Sequence, residues 1–212
     1  MSFLDPKHLI DTFGAAGLIL IIFIESGILP IPLPGDSLLF MAGFFASTDV
    51  GGKSPHLNLG VVVFGTLAAA IIGAQIGYWA GAKFGDKLFK PEARLFKTKY
   101  LEQAGEYFDR RGARSVVIAR FIPVLRTIVP IVAGTSKMNA KAFATANAVG
   151  ALLWATGISL LGYFGGKALA DRLGGPEKID KYLLPIVVAI VILSLIPPFL
   201  EYRKHKAAQA HD

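Results

Sequence analysis

At 212 residues, 53% hydrophobic and only 17% charged, with a mean hydropathy of +0.54, the chain is too apolar for a water-soluble domain. Its net charge of +7 would suit a nucleic-acid binder if it were soluble, but Lys and Arg gathered in the cytosolic loops of a membrane protein explain it better. The absence of cysteine excludes disulfides and thiolate metal sites.

The first apolar run, Phe13–Ile31, does not read as a cleavable signal. Lys7 is the only Lys or Arg before it, flanked by Asp5 and Asp11, and Pro30, Pro32 and Pro34 follow where small residues would be needed for cleavage. Whether Phe13–Leu29 crosses fully or forms one arm of a hairpin stays open, and with it the side of the N-terminus. Ile24–Gly43, IESGILPIPLPGDSLLFMAG, has an apolar arm, a proline-rich break, a charge and a second apolar arm. That is the grammar of a re-entrant hairpin, because prolines interrupt a helix and irregular backbone at membrane depth survives only when buried or facing a wet cavity.

Leu59–Ala82 carries no charge and is a full span. Its Gly73, Gly77, Gly81 and Gly85 recur every four residues and so share one helix face, a groove for close helix packing. The nine Lys or Arg of Lys83–Arg114 place that loop in the cytoplasm and Ser47–Asn58 outside. Within the basic loop, Tyr100–Arg111 reads as an amphipathic helix on the membrane surface.

Ser115–Gly134, SVVIARFIPVLRTIVPIVAG, is long enough to span but holds Arg120, Arg126, Pro123 and Pro130. The two prolines are expected to break it into short arms, a second hairpin. Ala142–Phe164 and Tyr182–Leu200 are further spans, the last an anchor followed by a basic cytoplasmic tail with Arg203, Lys204 and Lys206. The two hairpins match in layout, and the spans after them share GYWAG (Gly77–Gly81) and GYFGG (Gly162–Gly166), with Tyr163 repeating Tyr78. One crossing separates the copies, so they form inverted repeats. The fold expected is a single all-α membrane domain over residues 1–212. Repeat 1 covers about 13–85, repeat 2 about 100–166 and the anchor 182–200.

Charge within the spans is concentrated in Glu25 and Asp36 of the first half and Arg120 and Arg126 of the second. An ionisable group at the centre of a membrane helix costs ~2.5–3.5 kcal/mol, so such groups pair or line a polar cavity. Two opposed hairpins meeting near the midplane would bring the acids to the arginines. A guanidinium is always charged and its planar fork suits phosphate oxygens, while a carboxyl in a partly dry site exchanges protons. The competing reading is a pair of structural salt bridges. Gln75, Asn147 and Thr156 read as polar ties between helices, and Tyr78, Trp79 and Trp154 as interfacial or packing residues. No enzyme is expected: His8, His56, His205 and His211 all lie outside the apolar spans, and no zinc, P-loop or serine-nucleophile motif is present.

These motifs, FIESGILPIPLPGDSLLFMAG (Phe23–Gly43) and FDRRGARSVVIARFIPVLRTIVPIVAGTSKM (Phe108–Met138), resemble the DedA family of bacterial inner-membrane proteins, relatives of the eukaryotic scramblases that share the SNARE-associated (VTT) domain. The likeness covers nearly the whole chain. It implies re-entrant hairpins in inverted repeats and movement of a phosphate-bearing lipid, undecaprenyl phosphate or a phospholipid such as phosphatidylethanolamine, linked to the proton-motive force. No cofactor, metal or nucleic acid is implied, and the oligomeric state is left open. The family's charged positions fall on Glu25 and Asp36 as proton carriers or ion-pair partners, and on Arg120 and Arg126 as phosphate ligands. Pro30, Pro32, Pro34, Pro123 and Pro130 would form the hairpin tips. The rival readings are a proton-coupled exporter of small ions or cationic drugs, and a membrane scaffold that transports nothing.

Overall fold

The computed structural model describes residues 6–27, 33–47, 57–88 and 112–173, and these form helices joined by short turns, with no strand among them. The proposed surface helix Tyr100–Arg111, the anchor Tyr182–Leu200, Pro30 and Pro32 lie outside the described residues. The elements are α1 (Pro6–Glu25), α2 (Gly35–Ser47), α3 (Leu59–Leu88), α4 (Arg114–Ala119), α5 (Pro123–Thr135), α6 (Ala140–Ala151), a π-helical turn (Leu152–Thr156) and α7 (Gly157–Leu173).

Length divides the helices into two kinds. Leu59–Gly85 and Ala140–Leu169 are long and apolar enough to cross a bilayer. The rest are not. Gly14 (φ 57°, ψ −150°) kinks α1 in a conformation that glycine adopts without a Cβ clash, which leaves Gly14–Glu25 as the apolar arm. At 1.5 Å per residue that arm, α2 and α5 each reach about 20 Å, well short of a ~30 Å hydrocarbon core.

Large apolar side chains point outward along the long helices: Phe64 is 72% exposed, Leu161 67%, Phe164 63% and Trp79 59%. In water such a belt would be a liability, whereas lipid tails solvate it without cost. Inside, one apolar cluster joins α1 and α2 to the π turn through Leu18, Ile22, Leu39, Phe44 and Trp154. A second joins α3, α4, α5 and α6 through Tyr78, Val116, Ile131 and Phe143.

The two most extensive helix contacts are α2 against α7 and α5 against α3, so each short arm lies on the long helix from the other half of the chain. Glycines let the backbones touch. A Cβ at Gly134 would overlap the Tyr78 carbonyl and crowd the Ala82 amide, and one at Gly81 would overlap the Ile131 carbonyl. The other seam repeats this: Gly43 meets the Ser159 carbonyl and the Tyr163 amide, and Gly162 meets the Phe40 carbonyl. By these contacts Gly81 corresponds to Gly162 and Ala82 to Tyr163. Aligning GYWAG with GYFGG is therefore off by one helical turn, and Tyr78 corresponds to Ser159. The glycine stripe on α3 does serve packing along its whole length, with Gly73 and Gly77 taking the carbonyls of Phe23 and Gly27, and Gly85 taking Thr135.

Candidate functional site

Chain breaks position the charges. Ile122 is extended (φ −112°, ψ 112°), as a residue before proline must be, and Pro123 opens α5 where its missing N–H costs nothing. The turn over 120–122 thus separates α4 from α5, and Arg126 stands one turn inside α5, its amide bonded to the Ile122 carbonyl at 2.9 Å. Pro130 differs from expectation. It is buried within a continuous α5, against Gly27, and breaks nothing. A helix tolerates one lost hydrogen bond when its neighbours hold it in place, and Pro130 merely leaves the Arg126 carbonyl without its usual donor. Of the described prolines, Pro34 and Pro123 stand at chain breaks.

Glu25 ends α1 and Asp36 lies in the first turn of α2, where the helix dipole favours a carboxylate. Arg126 reaches both. Its Nη1 donates to Asp36 Oδ1 at 2.7 Å, and its Nη2 donates to Glu25 Oε1 in a closer contact. Glu25 and Arg126 are buried, whereas the Asp36 side chain keeps 22% of its surface. Gly35 has no room for a side chain because the Glu25 carboxylate lies against its Cα. The fork of one arginine therefore ties the two arms of the first hairpin candidate to the second.

Trp154 completes this cluster. Its ring lies under the guanidinium of Arg126, with Cζ 4.3 Å from the centroid, and its Nε1 donates to Asp36 Oδ1 at 2.7 Å.

Arg120 stands apart from the acids. It closes α4, six positions before Arg126, and its guanidinium turns toward α3 and α6. There Nη2 donates to the Ala70 carbonyl at 2.8 Å and to Asn147 Oδ1. Asn147 in turn donates to the Ile71 carbonyl at 3.0 Å, which fixes the orientation of its amide. The expectation of two acids meeting two arginines is thus half met: Arg126 takes both carboxylates. No carboxylate among the described residues pairs with Arg120, although it is only 4% exposed.

The two arginines nevertheless line one crevice, with Asn147, Val116, Val129 and Pro130, and it has room for about one water molecule. Two of their N–H groups lack partners while buried, Nη1 of Arg120 and Nε of Arg126. Native structures seldom leave such groups unmatched, least of all charged ones. With both acids ionised the four groups sum to zero charge, but unevenly, negative around Arg126 and positive at Arg120.

Sequence reasoning undervalued two residues here. Asn147 reads from the sequence as a tie between helices, which it is, but it also holds a buried cation. Trp154 reads from the sequence as an interfacial or packing residue. A tryptophan alone gives no hint that a π turn aims it at a charge.

A VTT domain model matches residues 33–164, more than half of the chain. Over 195 residues the chain is 37% identical to Protein DedA of Escherichia coli K12, covering 91% of this chain and 84% of that protein. The chain belongs to the DedA family. It is also 34% identical to an uncharacterized membrane protein of Mycobacterium tuberculosis, over 99% of this chain and 92% of the relative. Identity to the inner membrane protein YghB of Salmonella typhimurium is 29%, over 89% and 84% respectively. No solved structure matches. Family membership and the outward apolar belt agree on a membrane protein.

Proposed function

We propose that this protein carries a phosphate-bearing lipid, undecaprenyl phosphate or a phospholipid, across the bacterial plasma membrane, with its C-terminal tail in the cytoplasm. One observation carries the reading. Two buried arginines line one crevice, the guanidinium of each keeps an unpaired N–H, and one of them lacks any carboxylate among the described residues. A phosphate oxygen is the partner that such N–H groups fit best.

In this proposal α1–α2 and α4–α5 are re-entrant hairpins of inverted repeats, a reading supported by their short arms and by the matched seams on α3 and α7. The site as it stands is closed, since a space for one water cannot hold a phosphate. Entry of a head group therefore requires the turns at 120–122 and before Gly35 to part. Arg126 then exchanges its carboxylates for phosphate, and Arg120 supplies the second cationic contact. Glu25 and Asp36, freed of their arginine, take up protons rather than remain as bare charges in a dry site, which links lipid movement to protons. When the lipid leaves, the acids lose their protons and recapture Arg126.

The test is reconstitution in liposomes with a labelled phospholipid, and separately with labelled undecaprenyl phosphate. Arg126→Ala and Asp36→Ala are each expected to slow lipid movement at least about 100-fold, because the first leaves buried Glu25 without its arginine and the second removes one of the two carboxylates that Arg126 exchanges. Both should still elute as folded protein. Movement at the unmodified rate in both variants would exclude this mechanism.

A further inference from the structure

We propose that Trp154 is a positioning residue of the charged site, holding Arg126 and Asp36 as one unit while the arginine changes partners. The proposal rests on the lipid-phosphate reading above. Oδ1 of Asp36 accepts two hydrogen bonds at 2.7 Å, one from Arg126 Nη1 and one from Trp154 Nε1. The same indole offers its face to the guanidinium, 4.3 Å from Cζ. Arg126 and its carboxylate are therefore both in contact with one rigid ring.

The consequence follows from counting partners. If Arg126 turns from Asp36 to a phosphate, Asp36 keeps the indole N–H, so its carboxyl is never left in a dry site without a donor. The guanidinium can pivot over the ring face and keep its cation–π contact, because that attraction tolerates rotation in the ring plane better than a carboxylate fork does. Trp154 thus lowers the cost of exchange without competing for the phosphate, since an indole has no acceptor to offer either partner.

The backbone around Trp154 points the same way. Leu152–Thr156 is the one π-helical segment among the described residues, and it interrupts a helix that is otherwise regular from Ala140 to Leu173. A π turn inserts one extra residue and re-aims those beside it, a departure found frequently at functional sites. Here Leu152 and Leu153 remain outward, while Trp154 and Ala155 are buried. Packing alone would need only a large apolar side chain at 154. An N–H aimed at an acid with a ring under its arginine is more than packing requires.

The chain has two tryptophans, and Trp79 is 59% exposed. In a Trp79→Phe background Trp154 is the sole indole reporter. Arg126→Gln in that background is expected to change the intensity and maximum of Trp154 emission, because a charge leaves the ring face. Unchanged emission would overturn the contact. In proteoliposomes of phosphatidylethanolamine and phosphatidylglycerol with acyl-labelled phosphatidylethanolamine, Trp154→Phe keeps a ring but loses the N–H. It is expected to move lipid about tenfold more slowly, the worth of one hydrogen bond to a charged group. Trp79→Phe alone should match the parent rate.

Full rate in a folded Trp154→Phe, with Arg126→Gln inactive, would overturn the positioning role and leave the phosphate reading intact. Full rate in Arg126→Gln would overturn the phosphate reading and this proposal with it. Should Trp154→Phe not fold, the emission comparison still decides, since it leaves residue 154 unaltered.

Discussion

The α5–α3 seam and the α2–α7 seam have the same backbone and different side chains. In each, a glycine of the short arm meets a carbonyl of the long helix, and a glycine of the long helix meets a carbonyl three residues earlier on the arm. Yet α5 brings an arginine to the centre and α2 an acid. The first seam is also tied by polar bonds, Tyr78 Oη to the Met138 carbonyl and Thr135 Oγ1 to the Gly81 carbonyl. At the position matching Tyr78 the second seam has Ser159, whose buried hydroxyl has no partner. What the seams share serves packing. What separates them is the chemistry, which has opposite sign on the two arms.

The largest effect should come from breaking what is shared. Gly134→Val and Gly43→Val each force branched carbons into a backbone carbonyl, which cannot swing aside as a side chain would. Each is expected to cost about 3 kcal/mol, the upper range for overpacking. Thermal unfolding in detergent should show matching losses in the two variants. Tolerance of Gly43→Val with failure of Gly134→Val would mean that the seams are not equivalent.

Much of this frame can be read from residue spacing, because glycines four apart can only line one face of a helix. The charged site was half readable for a similar reason. Ionisable groups in apolar runs must find partners, so Glu25, Asp36 and Arg126 declared themselves. Which guanidinium meets which acid was not readable, since it depends on where the chain turns. Pro123 and Pro130 look alike in sequence, yet only Pro123 stands at a break, because packing against Gly27 keeps α5 helical through Pro130. The register between the halves was lost to repetition: several glycines four apart match their counterparts nearly as well one turn out of step. The π turn left no sign at all, as Leu-Leu-Trp-Ala-Thr is an unremarkable helical sequence.

A smaller effect separates the two arginines. Arg126 is neutralised by acids, and Arg120 is held by an amide and a carbonyl. Asn147→Asp would give Arg120 a carboxylate and remove the difference. If the unpaired cation awaits a phosphate, the new carboxylate competes with it as a charged acceptor, which the amide is not. Lipid movement is expected to fall about tenfold or more, for one charge-assisted bond to be displaced on each cycle. The melting temperature should hold or rise. A scaffold held together by ion pairs would gain stability from the same change and lose no activity, so measuring the two together distinguishes the readings.

The smallest effect tests the side chains that differ between the seams, Tyr78 and Ser159. Tyr78 stacks on Phe143 with centroids 4.6 Å apart, and its hydroxyl bonds across to the turn that follows α5. Tyr78→Phe keeps the stack and removes only the hydroxyl, so it should cost about 1 kcal/mol, the net worth of a hydrogen bond. The Met138 carbonyl then loses a donor. Ser159→Ala removes a buried hydroxyl that already lacks a partner, which relieves a desolvated group and should change stability by less than about 0.5 kcal/mol. Equal losses in the two variants, read from thermal melts in one detergent, would mean that Ser159 finds a partner in the membrane and that the second seam is polar too. A loss at Tyr78 alone would leave the α2–α7 seam held by backbone and apolar contact, free to slide where the α5–α3 seam is pinned. In that case the arm that carries Asp36 is the one able to move first in the proposed exchange of partners by Arg126.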